Sequence, residues 1–230
     1  MSIAPKTSSI SVIIPARDEE AALPATLAAL AGEKVHEVVV ADGESRDTTV
    51  AVARHHGATV AACPPGRGRQ LNAGAALASG EILFFLHADT LPPAGFAAEI
   101  RRVLATPGVV AGAFRLGIAG EQPALRCIEF GANLRARLFG LSYGDQGLFL
   151  RAADFRNLGG FRELPLCEDA ELMGRLRRLG KIRLARTAVR TSARRWLRLG
   201  VLRTTWRNQL VLLGFLLGIS PDRLARWYRR

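Results

Sequence analysis

His87 and Asp89 are suited to chemistry because they follow directly on an apolar run. That run, residues 82–86, reads Ile-Leu-Phe-Phe-Leu between a Ser-Gly pair and a Pro-Pro pair, which predicts a strand buried on both faces. In an open α/β sheet, ligands bind beyond the carboxyl ends of the strands. Both side chains are therefore expected at the ligand-binding edge, where the Asp89 carboxylate could hold a divalent cation. The alternative is that Asp89 only opens the turn before the prolines.

Asp42 ends a second predicted strand, residues 37–42. Parallel strands end at the same edge of a sheet, so we expect Asp42 and Asp89 on one side of the molecule. Asp42 could accept hydrogen bonds from a nucleotide base or ribose there. A role in capping the following helix remains the alternative.

Residues 66–69, Gly-Arg-Gly-Arg, precede a helix predicted over residues 70–78. Glycines allow the backbone to approach a ligand closely, and a helix N-terminus favours anions. Arg67 or Arg69 could donate two hydrogen bonds to phosphate oxygens. The stretch is therefore a candidate diphosphate clamp, with a solvated arginine loop as the alternative. The sequence lacks the Gly-Lys-Ser/Thr of a P-loop and a Gly-x-Gly-x-x-Gly after the first strand, which argues against ATPase and dehydrogenase functions.

Glu168 and Asp169 open a helix that is predicted to start at Cys167. Negative charge in a first helical turn suits the helix dipole, which is the simpler interpretation. The alternative is that one of the two carboxylates is a general base that takes a proton from an acceptor hydroxyl.

Strand and helix patterns must place these residues, and they alternate through about the first 90 residues. The predicted strands are 10–15, 37–42, 58–62 and 82–86, and the predicted helices between them are 19–31, a helix ending at Gly57, and 70–78. This alternation predicts an α/β fold with a largely parallel sheet and helices on both faces. Further on, helices are expected over 95–106, 123–139 and 153–158 and strands over 109–116 and 148–151, with a loop at 143–147.

Several of these motifs, taken in order, resemble glycosyltransferase family 2 over about residues 9–195. They are Ser-Val-Ile-Ile-Pro at 11–15, Arg-Asp-Glu-Glu at 17–20, Val-Ala-Asp-Gly-Glu-Ser-Arg-Asp-Thr at 40–48, Phe-Leu-His-Ala-Asp at 85–89, Gly-Gly-Phe at 159–161 and Glu-Asp at 168–169. The resemblance implies a GT-A fold, a nucleotide-diphosphate sugar of UDP or GDP type as donor, and inversion at the anomeric carbon.

The resemblance also assigns roles on the donor side. It implies a nucleotide pocket lined by Pro15, Arg17 and Glu19, a base held by Asp42, and a nucleotide contact from Arg67 or Arg69. Asp89 matches the last carboxylate of the family's DxD motif, which holds Mg²⁺ or Mn²⁺. The first carboxylate of that motif is replaced by His87, and one carboxylate with donor phosphates and waters is still a reasonable Mg²⁺ site.

On the acceptor side, Asp169 matches the family's catalytic base, with Glu168 beside it. The Gly144-Asp145-Gln146 loop resembles a feature of a small bacterial branch of the family and is expected to shape the acceptor pocket. Arg195-Trp196 resembles the end of the Gln-x-x-Arg-Trp motif of processive members, but Ser192 stands at the glutamine position. The sequence does not support a polysaccharide synthase.

The excess of positive over negative charge is confined to the C-terminal quarter. The net charge is +12, yet residues 175–230 hold 16 Lys+Arg and one Asp+Glu, whereas residues 1–174 hold 16 and 19. Apolar residues recur there at intervals of three and four, which predicts one helix with an apolar face: Trp196, Leu199, Leu202, Trp206, Leu210, Leu213 and Leu217. Another short helix is predicted to start at residues 220–222.

Two interpretations of this basic tail are left open. It could lie on an anionic membrane surface, with a lipid-phosphate acceptor to follow, or it could pack back on the catalytic domain or on a second subunit as a homodimer. Nucleic acid is the weakest candidate, since a known binding motif is missing. The apolar run at 210–219 is shorter than the roughly 20 residues that cross a bilayer. Three widely spaced cysteines and the lack of an apolar leader predict a cytoplasmic protein, in solution or peripheral at the inner membrane.

These observations predict a glycosyltransferase domain over residues 1–190 and a basic helical extension over residues 191–230. The predicted function is metal-dependent inverting transfer of a sugar to an acceptor hydroxyl or phosphate, including a lipid-type acceptor. The alternative, prompted by His87, is a nucleotide-sugar-binding protein that has lost turnover and serves as a membrane-associated partner.

Overall fold

A single mixed sheet organises the protein. The computed structural model describes residues 8–140 and 142–228. The strands are β1 (Ile10–Ala16), β2 (Glu37–Asp42), β3 (Thr59–Ala62), β4 (Ile82–Phe85), β5 (Thr90–Leu91), β6 (Val109–Ala119), β7 (Leu148–Arg151) and β8 (Lys181–Ser192). Their order across the sheet is β3-β2-β1-β4-β7-β6-β8-β5. Strands β3, β2, β1 and β4 run parallel to one another, and β7 is antiparallel to its neighbours β4 and β6. Strand β8 is parallel to β6, and β5 is antiparallel to β8.

Helices cover both faces of this sheet, as the sequence predicts. They are α1 (Leu23–Ala31), α2 (Thr49–His55), α3 (Arg67–Leu77), α4 (Phe96–Leu104), α5 (Pro123–Phe139), α6 (Ala152–Asn157), α7 (Glu168–Leu179), α8 (Arg194–Leu199), α9 (Val201–Leu216) and α10 (Pro221–Tyr228), with a 3₁₀ turn at Gly144–Gln146. Alternation along β1 separates two cores. Val12 and Ile14 face the core shared with α1 and α4, whereas Ile13 faces the core shared with α3, α6 and α7.

The predicted central strand is confirmed as β4, and all of its side chains are buried. Phe84 packs against the rings of Phe96, Phe114 and Phe149 at centroid distances of 5.5, 5.6 and 6.5 Å. These contacts hold β4 rigidly between β1 and β7, so the residues that follow it leave the sheet at a defined point.

Two predicted helices begin elsewhere than expected. α1 starts at Leu23 rather than at residue 19, because the backbone N–H groups of Glu19 and Glu20 donate to Thr49 Oγ1 and Asp47 Oδ2 and form a turn. α3 starts at Arg67, three residues earlier than predicted, so Arg67 and Arg69 lie in its first turn. The glycines in that segment suggested a loop. Gly68 is nevertheless helical, and a glycine is needed there because the neighbouring backbone leaves no room for a side chain.

Strand β8 is absent from the sequence-based prediction. It has four basic side chains, and only Ala185, Val189 and Thr191 of its 12 residues are buried, so the usual alternation of a strand is weak. Pairing with β6 and β5 stabilises it as a strand despite that pattern.

The predicted long C-terminal helix is wrong in one respect, since Gly200 divides it into α8 and α9. Gly200 has φ of 87° and ψ of 134°, which a helix cannot contain. The predicted further helix is confirmed as α10.

Among residues 8–140 and 142–228 no helix is long and apolar enough to cross a membrane. The first seven residues, where no leader was predicted, lie outside the described residues.

Candidate active site

A cleft of about 460 Å³ opens at the carboxyl ends of β1, β4 and β8. We call it the cleft and define it by six charged or titratable residues that line it: Arg67, His87, Asp89, Glu168, Asp169 and Arg194. The site therefore lies at the edge of the sheet that the parallel strands predict. Pro15 at the end of β1 and Arg17 and Glu19 in the turn after it also line the cleft. Gly144 and Asp145 of the 3₁₀ turn and Arg195 and Trp196 of α8 complete it.

Asp89 is held by an arginine that the sequence did not single out. The Arg194 Nε lies 3.2 Å from Asp89 Oδ2, and another nitrogen of the same guanidinium donates to Glu19 Oε1. The second Glu19 oxygen, Oε2, is buried and has no partner among the described residues. Burial raises the pKa of Asp89, while the positive charge of Arg194 opposes that rise.

His87 is neutral in this setting. Burial lowers its pKa well below the usual value, and the nearby charges of Arg67 and Arg194 act in the same direction. A Cβ atom at position 144 would lie 2.7 Å from His87 Nε2 and 2.6 Å from Asp169 Oδ2, too close for any residue but glycine. Gly144 is therefore needed where His87 and Asp169 approach each other.

Three further carboxyl groups line the cleft, those of Asp145, Glu168 and Asp169. Gly144 donates its backbone N–H to Asp169 Oδ2 at 2.9 Å, and Arg67 Nε lies 3.8 Å from Glu168 Oε1. Burial, then the charge of Asp169, raises the pKa of Glu168 to about 7, and burial likewise raises the pKa of Asp169. Burial raises the pKa of Asp145 to about 6. Asp145 and Glu168 can therefore exchange protons near neutral pH, and the raised pKa of Asp169 makes it a stronger base than an exposed aspartate.

Asp42 lies beside the cleft, at the end of β2 and opposite Ala16. Its Oδ2 accepts the Ser45 N–H at 3.2 Å, but its Oδ1 is buried without a partner among the described residues. Gln70 from α3 donates to the carbonyls of Ala16 and Ala41 at 2.8 and 3.0 Å and so ties the two strand ends together. A buried oxygen without a hydrogen bond is unusual in a folded protein and fits a ligand-binding role.

Besides Asp42, two more predicted site residues do not line the cleft. Arg69 is exposed and its guanidinium pairs with Glu163 Oε2 at 2.8 Å. Gln146 is fully buried and donates to the Phe114 carbonyl at 3.2 Å, so it supports the 3₁₀ turn instead. Helical geometry separates Arg67 from Arg69, because residues two apart face different directions.

Sequence reasoning missed Arg194 and the part of the cleft made by α9 and α10. Asn208, Val211 and Leu212 of α9 and Tyr228 of α10 line it. Arg194 precedes the predicted Arg195-Trp196 pair, but nothing in the sequence distinguishes it from the other arginines of the tail. Only the pairing of β8 with β6 and β5 brings these helices to the site.

A metal could be held at one point of the cleft. The described residues contain no group of three or more His, Cys, Asp and Glu side chains arranged as ligands. Asp89 is the carboxylate that could bind a cation, and Glu19 is close by because both carboxylates pair with the Arg194 guanidinium. Mg²⁺ takes one or two carboxylates together with waters and substrate phosphates. The residues therefore fit a cation that is held largely by its substrate, once Arg194 releases Asp89.

The parallel half-sheet, with carboxylates after β2 and β4 and a facing carboxylate on α7, is that of the GT-A class of glycosyltransferases. The sequence model described as glycosyl transferase family 2 matches residues 11–154, and the chain belongs to that family.

Known proteins agree with this assignment. An uncharacterized glycosyltransferase of Mycobacterium tuberculosis is 38% identical over 87 residues, which are 37% of this chain and 39% of that protein. The match thus spans well under half of that relative. Glucosyl-3-phosphoglycerate synthase of M. tuberculosis, solved with Mn²⁺, UDP-glucose and phosphoglyceric acid, is 25% identical with a TM-score of 0.59 over 77% of this chain and 69% of its own. A mannosyltransferase of Pyrobaculum calidifontis, solved with GDP-mannose and Mn²⁺, shares the fold at 20% identity and a TM-score of 0.63, over 82% of this chain and 57% of its own.

Proposed function

We propose that the protein transfers a sugar, with inversion, from a nucleotide-diphosphate sugar to an acceptor hydroxyl or phosphate. The observation that carries this proposal is the presence of Asp89 and Asp169 in one cleft, with Arg194 beside Asp89 and Arg67 beside Glu168, the neighbour of Asp169. We assign Asp89 to the donor diphosphate and Asp169 to the acceptor.

The donor nucleotide would lie against the turn after β1. Pro15, Arg17 and Glu19 line that side of the cleft, and the unpaired Oδ1 of Asp42 is a hydrogen-bond acceptor for a base. Arg67, in the first turn of α3, is the arginine we assign to the diphosphate, because Arg69 is paired with Glu163 outside the cleft. The complexes of related enzymes with UDP-glucose and GDP-mannose support a UDP or GDP donor.

Asp89 is the residue we assign to Mg²⁺ or Mn²⁺, with neutral His87 beside it. When bound, the cation would supply positive charge to the departing diphosphate. Arg67 supplies fixed positive charge of the same sign from the protein itself.

Asp169 is assigned as the general base and Glu168 as its neighbour. Asp169 takes the proton of the acceptor hydroxyl, the acceptor oxygen attacks the anomeric carbon, and the bond from that carbon to the diphosphate oxygen breaks. Attack from the side opposite the leaving group inverts the configuration. The Gly144 N–H holds the Asp169 carboxylate in place. The raised pKa of Asp169 makes it a stronger base than an exposed aspartate. A phosphate acceptor would not need this proton transfer.

The acceptor would enter between the 3₁₀ turn and the C-terminal helices. Gly144, Asp145, Arg195 and Trp196 line this side. The glucosyl-3-phosphoglycerate synthase was solved with a phosphate-bearing acceptor, and a positive group such as Arg195 suits an acceptor of that chemistry, soluble or lipid-linked.

A second candidate is nucleotide-sugar binding without turnover. It is favoured by the ion pair of Arg194 with Asp89 and by His87 at the position of the first family carboxylate. The two candidates differ in whether a bound donor is ever consumed.

Calorimetric titration with UDP-, GDP- and dTDP-sugars, with Mn²⁺ and then with EDTA, tests donor binding, and release of nucleoside diphosphate tests turnover. We expect Asp169→Asn to bind the donor like the wild type and to lose transfer by about 100-fold or more, since a general base contributes about 10²–10⁴-fold. Asp89→Ala should weaken binding in the presence of Mn²⁺.

Asp154→Asn makes the same chemical change outside the cleft, where Asp154 lies 3.8 Å from Arg151, and should keep full activity. Full transfer by Asp169→Asn would rule out the base assignment. Donor binding without release of nucleoside diphosphate under any condition would establish the second candidate.

A further inference from the structure

Helix α5 turns apolar side chains toward solvent, the reverse of an ordinary surface helix. Phe130, Leu134 and Leu138 are spaced four residues apart and are 70, 42 and 63% exposed. Their spacing places them in one stripe along the helix. The inner side of α5 already packs on the domain through Leu125 and Ala132, so the stripe is surplus to the core.

The neighbouring helix α9 carries a second outward stripe. Its members are Leu202, Trp206, Leu213 and Leu216 of α9 and Leu217 directly after it, which are 83, 67, 53, 57 and 73% exposed. The two helices contact each other, and we call their two stripes together the apolar surface. Exposed apolar residues in this number are uncommon on a protein that has no partner and indicate an interaction site.

The charge around the apolar surface selects the kind of partner. Helices α8, α9 and α10 hold seven arginines and one acidic residue, Asp222, and α5 holds three arginines and Glu129. Arg203 is exposed on α9 and Arg198 on the adjoining α8, and Arg126 and Arg137 are exposed on α5. A second copy of the chain would bring the same positive excess against itself, which costs free energy. An anionic surface matches both the charge and the apolar stripe.

We propose that the apolar surface docks on an anionic phospholipid bilayer. The leucines and phenylalanine would enter the boundary of headgroups and acyl chains, Trp206 would lie at headgroup level, and the arginines would contact lipid phosphates. The side of α9 that faces away from the stripe lines the cleft through Asn208, Val211 and Leu212. Docking would therefore place the cleft beside the membrane, and, on the proposed function, would present it to an acceptor anchored there.

Vesicle flotation of the full-length protein tests this directly, with no sugar donor present. We expect binding to vesicles of mixed phosphatidylcholine and phosphatidylglycerol and not to phosphatidylcholine alone. Leu202→Glu combined with Trp206→Glu should reduce the bound fraction by about tenfold or more, because two inserted side chains become charged. Leu77→Glu is the matched control, since Leu77 is 51% exposed on α3, which packs on β1, β2 and β3.

Arg198→Glu with Arg203→Glu is a second variant that leaves the apolar surface intact. It should weaken binding by about tenfold or more, since each basic residue near an anionic membrane contributes about 1 kcal/mol. Equal binding of wild type and both variants, or no binding to anionic vesicles, would overturn the proposal. A dimer in sedimentation that the Leu202 and Trp206 changes dissociate would assign the surface to a second copy instead. Because the assay needs no turnover, its failure is distinguishable from failure of the proposed transfer.

Discussion

Arg194 places a positive charge between two carboxylates of the cleft. Its guanidinium bridges Asp89 and Glu19, whose side chains are 16 and 17% exposed. Two carboxylates this close would repel each other without a cation between them. Arg194 therefore occupies the place where positive charge is needed, and a metal at Asp89 must compete with it.

Arg194→Gln should raise the affinity for Mn²⁺ alone by about tenfold, because an ion pair with a partly buried carboxylate is removed and its hydrogen bonds to charged groups are worth roughly 1.5–3 kcal/mol. Titration of free Mn²⁺ by calorimetry or electron paramagnetic resonance measures this. Arg69→Gln removes an arginine that is likewise paired with a carboxylate, Glu163, outside the cleft, and should leave Mn²⁺ affinity unchanged. Weaker Mn²⁺ binding by Arg194→Gln would show that Arg194 supports the metal site.

Asp145 should make the folded protein less stable as pH rises. Burial raises its pKa to about 6 in the folded state, above the ordinary value, so the folded state holds this proton more tightly than the unfolded state. The stabilising contribution is full below about pH 4, near the unfolded pKa, and is lost as pH rises through 6.

Asp145→Asn removes that loss. At pH 8 we expect a free energy of unfolding about 1–3 kcal/mol higher than that of the wild type, and at pH 4 little difference, as measured by chemical denaturation. Glu121→Gln, at an exposed position, removes one charge as a control and should have no such pH dependence. An equal effect of Asp145→Asn at both pH values would contradict the assignment.

At the scale of elements, the first turn of α3 is held by a glycine. A Cβ at Gly68 would lie 2.6 Å from the Arg162 carbonyl oxygen, which is backbone and cannot move aside alone. This contact sets α3 against the segment before α7, so Arg67 of one helix reaches Glu168 of the other.

Gly68→Ala should lower the free energy of unfolding by about 1–3 kcal/mol, as overpacking does, and should weaken donor binding because Arg67 is displaced. Thermal unfolding and donor titration measure the two effects. Gly174→Ala on α7 is the control, since nothing lies within 4 Å of the added Cβ, and it should stabilise by up to about 1 kcal/mol. If both variants stabilised the protein, the packing of α3 would be looser than the contact implies.

At the scale of the whole molecule, the basic tail is attached to the domain by one face and open on the other. Trp196 is buried with Leu116 and Ile118 of β6 and Leu125 of α5, while Trp206 on α9 is 67% exposed. Of the two interpretations of the tail, packing on the catalytic domain therefore accounts for α8. The outward face of α9 is what the proposed membrane docking uses.

Trp196→Ala should cost about 3 kcal/mol of stability, since it leaves a cavity between the tail and the sheet. Trp206→Ala, the same change at an exposed position, should stay within about 0.5 kcal/mol. Denaturant unfolding of both variants checks this. Similar losses for the two would mean that α9 is also packed on a partner in solution.

Much of the α/β framework was determined by the sequence alone. The strands at 37–42 and 148–151 and the helix at 123–139 were predicted to the residue, because each depends on periodicity among near neighbours. The resemblance to the family likewise placed Asp89 and Asp169, which the fold brings to one cleft. Their roles remain proposals.

Only the tertiary structure decided the rest. Arg194 meets Asp89 across more than one hundred residues, because β8 joins the sheet beside β6 although its own pattern of burial is weak. Arg69 is directed to Glu163 rather than to the cleft because α3 starts at Arg67. Such contacts depend on the order of strands and on where each helix begins, and those follow from the sum of many distant packing contacts that no local pattern records.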